Sequence, residues 1–537
     1  MSRQPKLERF NSYVKSKYQV YNSLFMTLPF QGISNTGVLL PLFDTICVDG
    51  YERKYNPTQI VSYFFDKYQR DIPEEDRYNL LFRFIQYIER QVVLFDAIED
   101  ASYRIVHNMD GRGTLRNIKE EAQAQNKTEE LKDYLNHFKI RPVLTAHPTQ
   151  FYPGAVLGII NDLSDAINAN DLEMIKKLLS QLGKTPFFKK EKPTPYDEAV
   201  SLIWYLENVF YHSSSFIYNY LQQNVFKGEF FDNEVIDLGF WPGGDRDGNP
   251  FVTTDITLRV AARLRNTIIK NYYRDMRDMR RRITFVGTVE ILSDLERRLY
   301  DSIFLPGDKL KITKDELLEK LLTVRKIVVE QHQSLFLEEI DDLINKIKMF
   351  GYHFATLDIR QDSRVHHHVM QEIVKECQRE GLNIFPDNYL ELSEEEQITI
   401  LQDVKGYLDP SNLEDEIARK TLESIHAMRE IQKQNGERGS NRYIISNNQT
   451  MLNVMEAFAM LHLCDWDKPT ADIVPLFETV PDLKIAHKVM EDLYTNPAYA
   501  KHLASRGNQQ TIMLGFSDGT KDGGYLMANW SIFKAKE

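Results

Sequence analysis

The chain has 537 residues, enough for three or four domains at roughly 150 residues each, or for one large fold with insertions. Apolar residues make up 42% and charged residues 27%, which excludes a disordered chain. Against 78 Asp and Glu stand 66 Lys and Arg, a net charge of −12, which argues against a general nucleic-acid or anionic-membrane binder but leaves room for a local basic pocket. Cys47, Cys377 and Cys464 lie far apart and form no CxxC pair, so neither a disulfide framework nor a structural zinc site is expected. The opening MSRQPKLERF carries no secretory apolar core, and no run approaches the ~18 apolar residues of a membrane span. The expected setting is a reducing one, the cytoplasm.

Helical periodicity dominates the chain. Tyr78, Leu81, Ile85, Ile88, Val92 and Phe95 are spaced 3, 4, 3, 4, 3, which predicts one face of a long helix. Further periodic stretches run through 155–182, 198–224, 256–282, 314–349 and 365–381. Polar 111–132 and Pro-rich 183–195 read as interruptions. His366–His368 are consecutive, so they diverge around a helix and read as a solvated run rather than a chelate. Arg274, Arg277 and Arg280–Arg282 interleave with Asp275 and Asp278, which predicts an ion-paired helix face.

Six short segments differ in kind. Pro142–Gln150, Leu238–Pro250, Phe354–Gln361, Tyr443–Asn447, Ile473–Thr479 and Thr511–Asp518 are apolar or β-branched and end in polar or small residues. Each predicts a buried strand opening into a polar loop. Strands alternating with helices predict an α/β fold, here a predominantly helical, incomplete (β/α)8-type barrel with extensive α-helical insertions. A helical region over 1–140 precedes the partial barrel at 141–537. Two more strands would be needed to close it, whereas Leu526, Trp530 and Phe533 at i, i+4, i+7 predict a final amphipathic helix. The expectation is therefore an N-terminal portion of a longer protein.

Chemistry in such barrels sits at the carboxyl ends of the strands. His147 falls there, where it can move a proton or hold a charged intermediate; a core histidine bonded to backbone fits equally. Trp241–Pro250 (WPGGDRDGNP) packs three glycines, two aspartates and an arginine into one turn and is no P-loop, since no GK[ST] follows; a structural turn held by Asp–Arg pairing is the plainer alternative. Its DxDxN spacing fails as a calcium loop, with Pro250 at the sixth position and Ile256 at the twelfth. It reads as a site-supporting loop with Arg246 placed by its acidic neighbours, and Arg246 is taken with Arg360 as a candidate substrate-binding residue. Arg360 suits capture of phosphate or carboxylate, or an ion pair with Asp358 or Asp362. Glu478 and Asp518 could together bind Mg²⁺ or Mn²⁺, and Lys521, one turn on, could neutralise an oxyanion.

These segments, in this order, resemble phosphoenolpyruvate carboxylases. The resemblance rests on TAHPTQ at 145–150, KPTPYDE at 192–198, GGDRDGNP at 243–250, LDIRQDS at 357–363, YIIS at 443–446, VPLFET at 474–479 and GFSDGTKDGG at 515–524. It implies carboxylation of phosphoenolpyruvate with bicarbonate to oxaloacetate and phosphate, an anaplerotic step feeding the tricarboxylic acid cycle, in a cytoplasmic homotetramer using Mg²⁺ or Mn²⁺. On that resemblance His147 and Lys521 are catalytic, Glu478 and Asp518 bind the metal, and Arg360 binds substrate phosphate. The family's later FHGRGG and GRGG segments, final strands and C-terminal helices have no counterpart here. They carry a further histidine, further arginines and an aspartate or malate inhibitor site, so the chain alone is expected to be inactive. A short non-catalytic homologue serving as a helical scaffold is the competing reading. Another Mg²⁺-dependent barrel enzyme acting on phosphoenolpyruvate or pyruvate is a third.

Overall fold

The computed structural model describes residues 5–28, 36–109, 111–145, 152, 154–187, 193–247, 249–305 and 310–537. The chain divides into two compact units, Met1–Glu121 with Pro148–Lys192, and Ala122–His147 with Pro193–Glu537. Among the described residues the fold is a mostly helical α/β one, and no closed barrel forms.

Among the described residues of the first unit, the regular elements are all helices. Its core joins Tyr87, Leu94 and Ile98 of helix Glu74–Val106 to Ile159, Leu163 and Ile167 of helix Gly154–Ala169 and to Ile175, Leu178 and Leu182 of helix Leu172–Lys184. The long helix thus forms where the spacing predicts, but on a different face. Leu80, Phe84, Tyr87, Leu94 and Ile98 are buried, whereas Tyr78, Ile85 and Ile88 are exposed. The helix carries two neighbouring apolar stripes, and spacing alone does not say which one meets a partner.

In the second unit the strands are β1 (Val143–Leu144), β2 (Gly239–Phe240), β3 (Thr356–Leu357), β4 (Ile359–Asp362), β5 (Arg442–Ser446), β6 (Asp472–Phe477) and β7 (Met513–Leu514). All six predicted segments contain one, and Asp358 alone separates β3 from β4. Every pairing is parallel, in the orders β1-β2-β3 and β4-β5-β6-β7. A parallel bridge between Asp245 and Arg360 carries the loop after β2 alongside β4.

Alternation along these strands buries two faces. Tyr443, Ile445, Ile473 and Phe477 pack outward against helices Ser363–Arg379, Glu416–Asn435, Met451–Leu463 and Val480–Thr495. Ile444, Val474 and Leu476 face the other way and gather around Trp241. Burial on both faces explains why these strands read as near-continuous apolar runs.

Three helical expectations need correction. The stretch 314–349 breaks into Lys314–Gln331 and Leu337–Phe350, with Gln333, Ser334 and Phe336 left-handed between them. The histidine run is solvated only at His367 and His368. His366 is fully buried against the Tyr443 hydroxyl at 2.9 Å, while His367 and His368 reach Glu456 and Asp415. Its burial was readable, because His366 shares a helix face with Val369, Met370, Ile373 and Cys377. Helix Tyr525–Lys536 forms as predicted, yet Leu526, Trp530 and Phe533 are exposed and the buried residues are Ala528 and Ser531.

Candidate active site

The loop after β2 is shaped by a close approach. A Cβ on Gly244 would lie 2.1 Å from the Asp358 carbonyl oxygen, so only glycine fits. The Gly244 carbonyl accepts from the Arg360 backbone N–H at 3.1 Å, and the Arg246 N–H donates to the Arg360 carbonyl at 2.9 Å. Asp245 Oδ1 accepts from the Asp247 N–H at 3.1 Å, which tightens the next turn. Both aspartates thereby face the Arg360 side chain, with Asp247 Oδ2 2.6 Å from Nη2 and Asp245 Oδ2 3.5 Å from Nη1.

Glu478, at the end of β6, is the third carboxylate on Arg360, its Oε1 3.4 Å from Nη2. Its Oε2 accepts from the backbone N–H of Asn447 at 2.9 Å, and Asn447 sits left-handed just past β5. Burial pushes the Glu478 carboxyl above its ordinary range, opposed by the Asn447 N–H and Arg360 and reinforced by Asp518 and Asp247. The Trp241 ring lies 4.9 Å from the Arg360 guanidinium carbon. Neither predicted ion-pair partner holds Arg360. Asp358 binds Arg141 at 2.7 Å and the Trp241 indole N–H at 3.2 Å, and Asp362 binds Arg364 at 2.6 Å.

Asp518 and Lys521 come from helix Phe516–Gly523, which starts beside Glu478. The Gly515 N–H donates to the Phe477 carbonyl at 2.8 Å, and a Cβ on Gly515 would lie 3.1 Å from the Glu478 Cα. Asp518 occupies the first helical turn, and Lys521 Nζ lies 3.0 Å from its Oδ1. Both are markedly more open to solvent than Arg360.

Arg246 is not brought to this cluster. Its guanidinium donates to the Lys420 carbonyl at 3.0 Å and to the Thr254 hydroxyl at 3.3 Å, tying the loop to two helices. His147 lies outside the described residues. Asp245 and Asp247, at the strand end where the sequence places a reactive acidic run, are joined around Arg360 by Asn447 and Trp241, whose only sequence signal was their place in the YIISN and WPGGDRD segments. Four carboxylates meet two cations here, a net charge of −2, in an all-oxygen donor set. Among the described residues, no three acidic, histidine or cysteine side chains are grouped to hold a metal; Arg360 occupies the centre instead.

A second ionic network ties the opposite, amino ends of the strands. Arg141 binds both Asp237 and Asp358, and Arg438 binds Asp237 at 2.7 Å. Burial opposes charge on Asp237, but Arg141 and Arg438 outweigh it and hold the carboxyl well below its ordinary range.

The family model for phosphoenolpyruvate carboxylase matches residues 76–304 and 301–537. The chain belongs to the phosphoenolpyruvate carboxylase family. It is 27% identical over 490 residues to a phosphoenolpyruvate carboxylase of Nitrosomonas eutropha, an alignment covering 80% of this chain and 52% of that protein. A family member from Nitrosomonas europaea is 26% identical over 477 residues, covering 76% of this chain and 50% of the relative. The chain spans about half the length of these curated relatives. Among the described residues no helix is long and apolar enough to cross a membrane.

Proposed function

We propose that this chain carries the phosphate- and metal-binding side of a site that carboxylates phosphoenolpyruvate with bicarbonate, giving oxaloacetate and phosphate. The observation carrying the proposal is Arg360 held among Asp245, Asp247 and Glu478 where three strand ends meet. Parallel strands paired in chain order support the accompanying architecture, an incomplete (β/α)8-type barrel over 141–537 behind a helical region over 1–140. The complete enzyme on this reading is a cytoplasmic homotetramer.

Glu478 and Asp518 would hold Mg²⁺ or Mn²⁺, for which hard oxygen donors and surplus negative charge are the appropriate environment. When bound, such a cation supplies charge stabilisation for a developing oxyanion. Arg360 binds the phosphoryl group by exchanging a carboxylate partner for a phosphate oxygen, with Trp241 fixing the guanidinium plane. His147 would hold the carboxyphosphate formed when bicarbonate attacks phosphorus, or move its proton. Lys521 leaves Asp518 to offset negative charge on the enolate; carboxyphosphate breaks down to CO₂ and phosphate, and the enolate attacks that CO₂ to give oxaloacetate. Water must be excluded meanwhile, or the enolate is protonated to pyruvate. Arg246 holds the loop rather than the substrate.

Trp241 makes the proposal measurable. Phosphoenolpyruvate with Mn²⁺ should change the tryptophan fluorescence of the chain saturably, and Arg360→Gln should abolish the change. A wild-type signal from that variant would refute the site. Oxaloacetate formation by the chain alone is expected to be negligible beside that of longer family members, because further phosphate-binding arginines are missing from the residues present.

A further inference from the structure

A cavity of about 840 Å³ opens at the amino ends of β3 and β5, the end away from Arg360 and Glu478. Gly351–His353, just before β3, form part of its wall, and Gly436–Arg438, just before β5, form another part. Helices Leu337–Phe350 and Glu416–Asn435 both end there, at Gly351 and Gly436, each in a positive-φ conformation. Lys348 and Lys433 occupy the last turns of these helices, where a cation complements the carbonyl end. Two such ends meeting at one cavity bring two ammonium groups to a common wall.

Charge accumulates further. Arg265, Lys314 and Arg438 also line the cavity, giving five cations against Glu234, Asp315 and Glu437, a net charge of +2 in a chain of −12. Two of the three acids are already engaged. Glu234 is held by Lys139 and Arg438, and Glu437 by Arg506 at 2.8 Å. The third, Asp315, is largely exposed with its Oδ1 4.0 Å from the Lys314 ammonium, and Lys433 pairs at 3.6 Å with Glu430, which is not part of the wall. Lys348 has no carboxylate within 4.0 Å among the described residues; its ammonium lies 4.7 Å from the centre of the Phe230 ring. The amino end of helix Lys314–Gln331 adds its positive dipole end to the same wall.

We propose that this cavity binds a small polyanionic metabolite bearing phosphate, at a site separate from the proposed catalytic end. The volume suits a metabolite-sized ligand. Flexible lysines arriving from three different helices suit phosphate oxygens spread over a small molecule better than a single planar carboxylate. The proposal does not depend on the carboxylation chemistry.

Inorganic pyrophosphate is the probe, titrated calorimetrically into the whole chain under metal-free conditions. The expected result is one saturable site in the wild type, weakened at least tenfold by Lys348→Ala with Lys433→Ala, and unchanged by Lys484→Ala or Arg360→Gln. Absence of saturable binding, or wild-type affinity in the double variant, would overturn the proposal. So would a loss confined to Arg360→Gln, which would place pyrophosphate at the other end of the strands. Lysine acetylation read by mass spectrometry gives a second measurement that needs no variant. Pyrophosphate should protect Lys314, Lys348 and Lys433 at least threefold relative to Lys484, and equal labelling of all four would also reject the site.

Discussion

Arg360, the second residue of β4, and Glu478, just past the carboxyl end of β6, stand two strands apart, yet their charged groups lie 3.4 Å from one another. The guanidinium neutralises only part of the acidic charge around it. Glu478→Gln would remove the most enclosed proposed metal carboxylate and keep its shape. Mn²⁺ affinity, followed by the paramagnetic resonance of free Mn²⁺, should fall at least about tenfold, with a smaller loss for Asp245→Asn. Equal affinities in wild type and Glu478→Gln would remove Glu478 from the metal site.

Arg360→Lys keeps the charge but discards the planar fork. Lysine can satisfy one carboxylate as a point charge and cannot hold Asp245, Asp247 and Glu478 together. Phosphoenolpyruvate affinity, read from tryptophan fluorescence, should weaken at least about tenfold while the melting temperature stays near the wild-type value. Undiminished affinity would show that a positive charge suffices and that the fork has no role.

Gly244→Ala tests the loop by sterics alone. The new methyl would collide with the Asp358 carbonyl 2.1 Å away, and backbone cannot yield as a flexible side chain would. The loop must leave β4, taking the Asp245 and Asp247 carboxylates from Arg360. Urea unfolding should show a loss of about 1–3 kcal/mol, accompanied by weaker phosphoenolpyruvate binding. A variant as stable as wild type would show that this contact is readily relieved.

The sequence was most readable where burial is two-sided. The central strand segments announced themselves as apolar runs stopping at a polar residue, because residues such as Tyr443, Ile444 and Ile445 are buried on alternating faces. Helix faces were less readable. In Glu74–Val106 and Tyr525–Lys536 a regular apolar stripe stayed exposed, since which stripe is covered depends on tertiary partners rather than spacing. At the site, the grouping of Arg360 with Glu478 followed from the strand-end rule, but the direction of Arg246 did not follow from its charged neighbours. On the extended backbone beside β4, alternate residues point to opposite sides. Asp245 and Asp247 therefore face Arg360, while Arg246 between them faces the helices. No local feature signalled that Arg141 would meet Asp237 and Asp358, residues distant in sequence.

Arg141→Ala should be among the more destabilising single changes in this unit. It leaves Asp358 buried with the Trp241 N–H as a hydrogen-bond donor but without its arginine, and strips Asp237 of one of its arginines. Removing one partner of a buried ion pair costs about 3–5 kcal/mol. Chemical denaturation measures the loss, and Arg141→Met combined with Asp358→Asn should recover part of it. A cost near zero would mean that water enters and solvates Asp358.

His366 makes stability depend on pH in a definite direction. Burial lowers its pKa to about 4, against the ordinary 6.5. Between those values the unfolded chain binds a proton that the folded chain refuses, so stability rises with pH across this window and is lost on acidification. From about pH 7 to about pH 5, the contribution of this one imidazole amounts to about 2 kcal/mol. His366→Phe removes the titrating group but leaves the Tyr443 hydroxyl without its 2.9 Å partner. The variant should therefore be less stable at neutral pH yet lose less on acidification. Denaturation midpoints of both proteins at the two pH values check this, and identical pH slopes would show that His366 is protonated without cost in the folded chain.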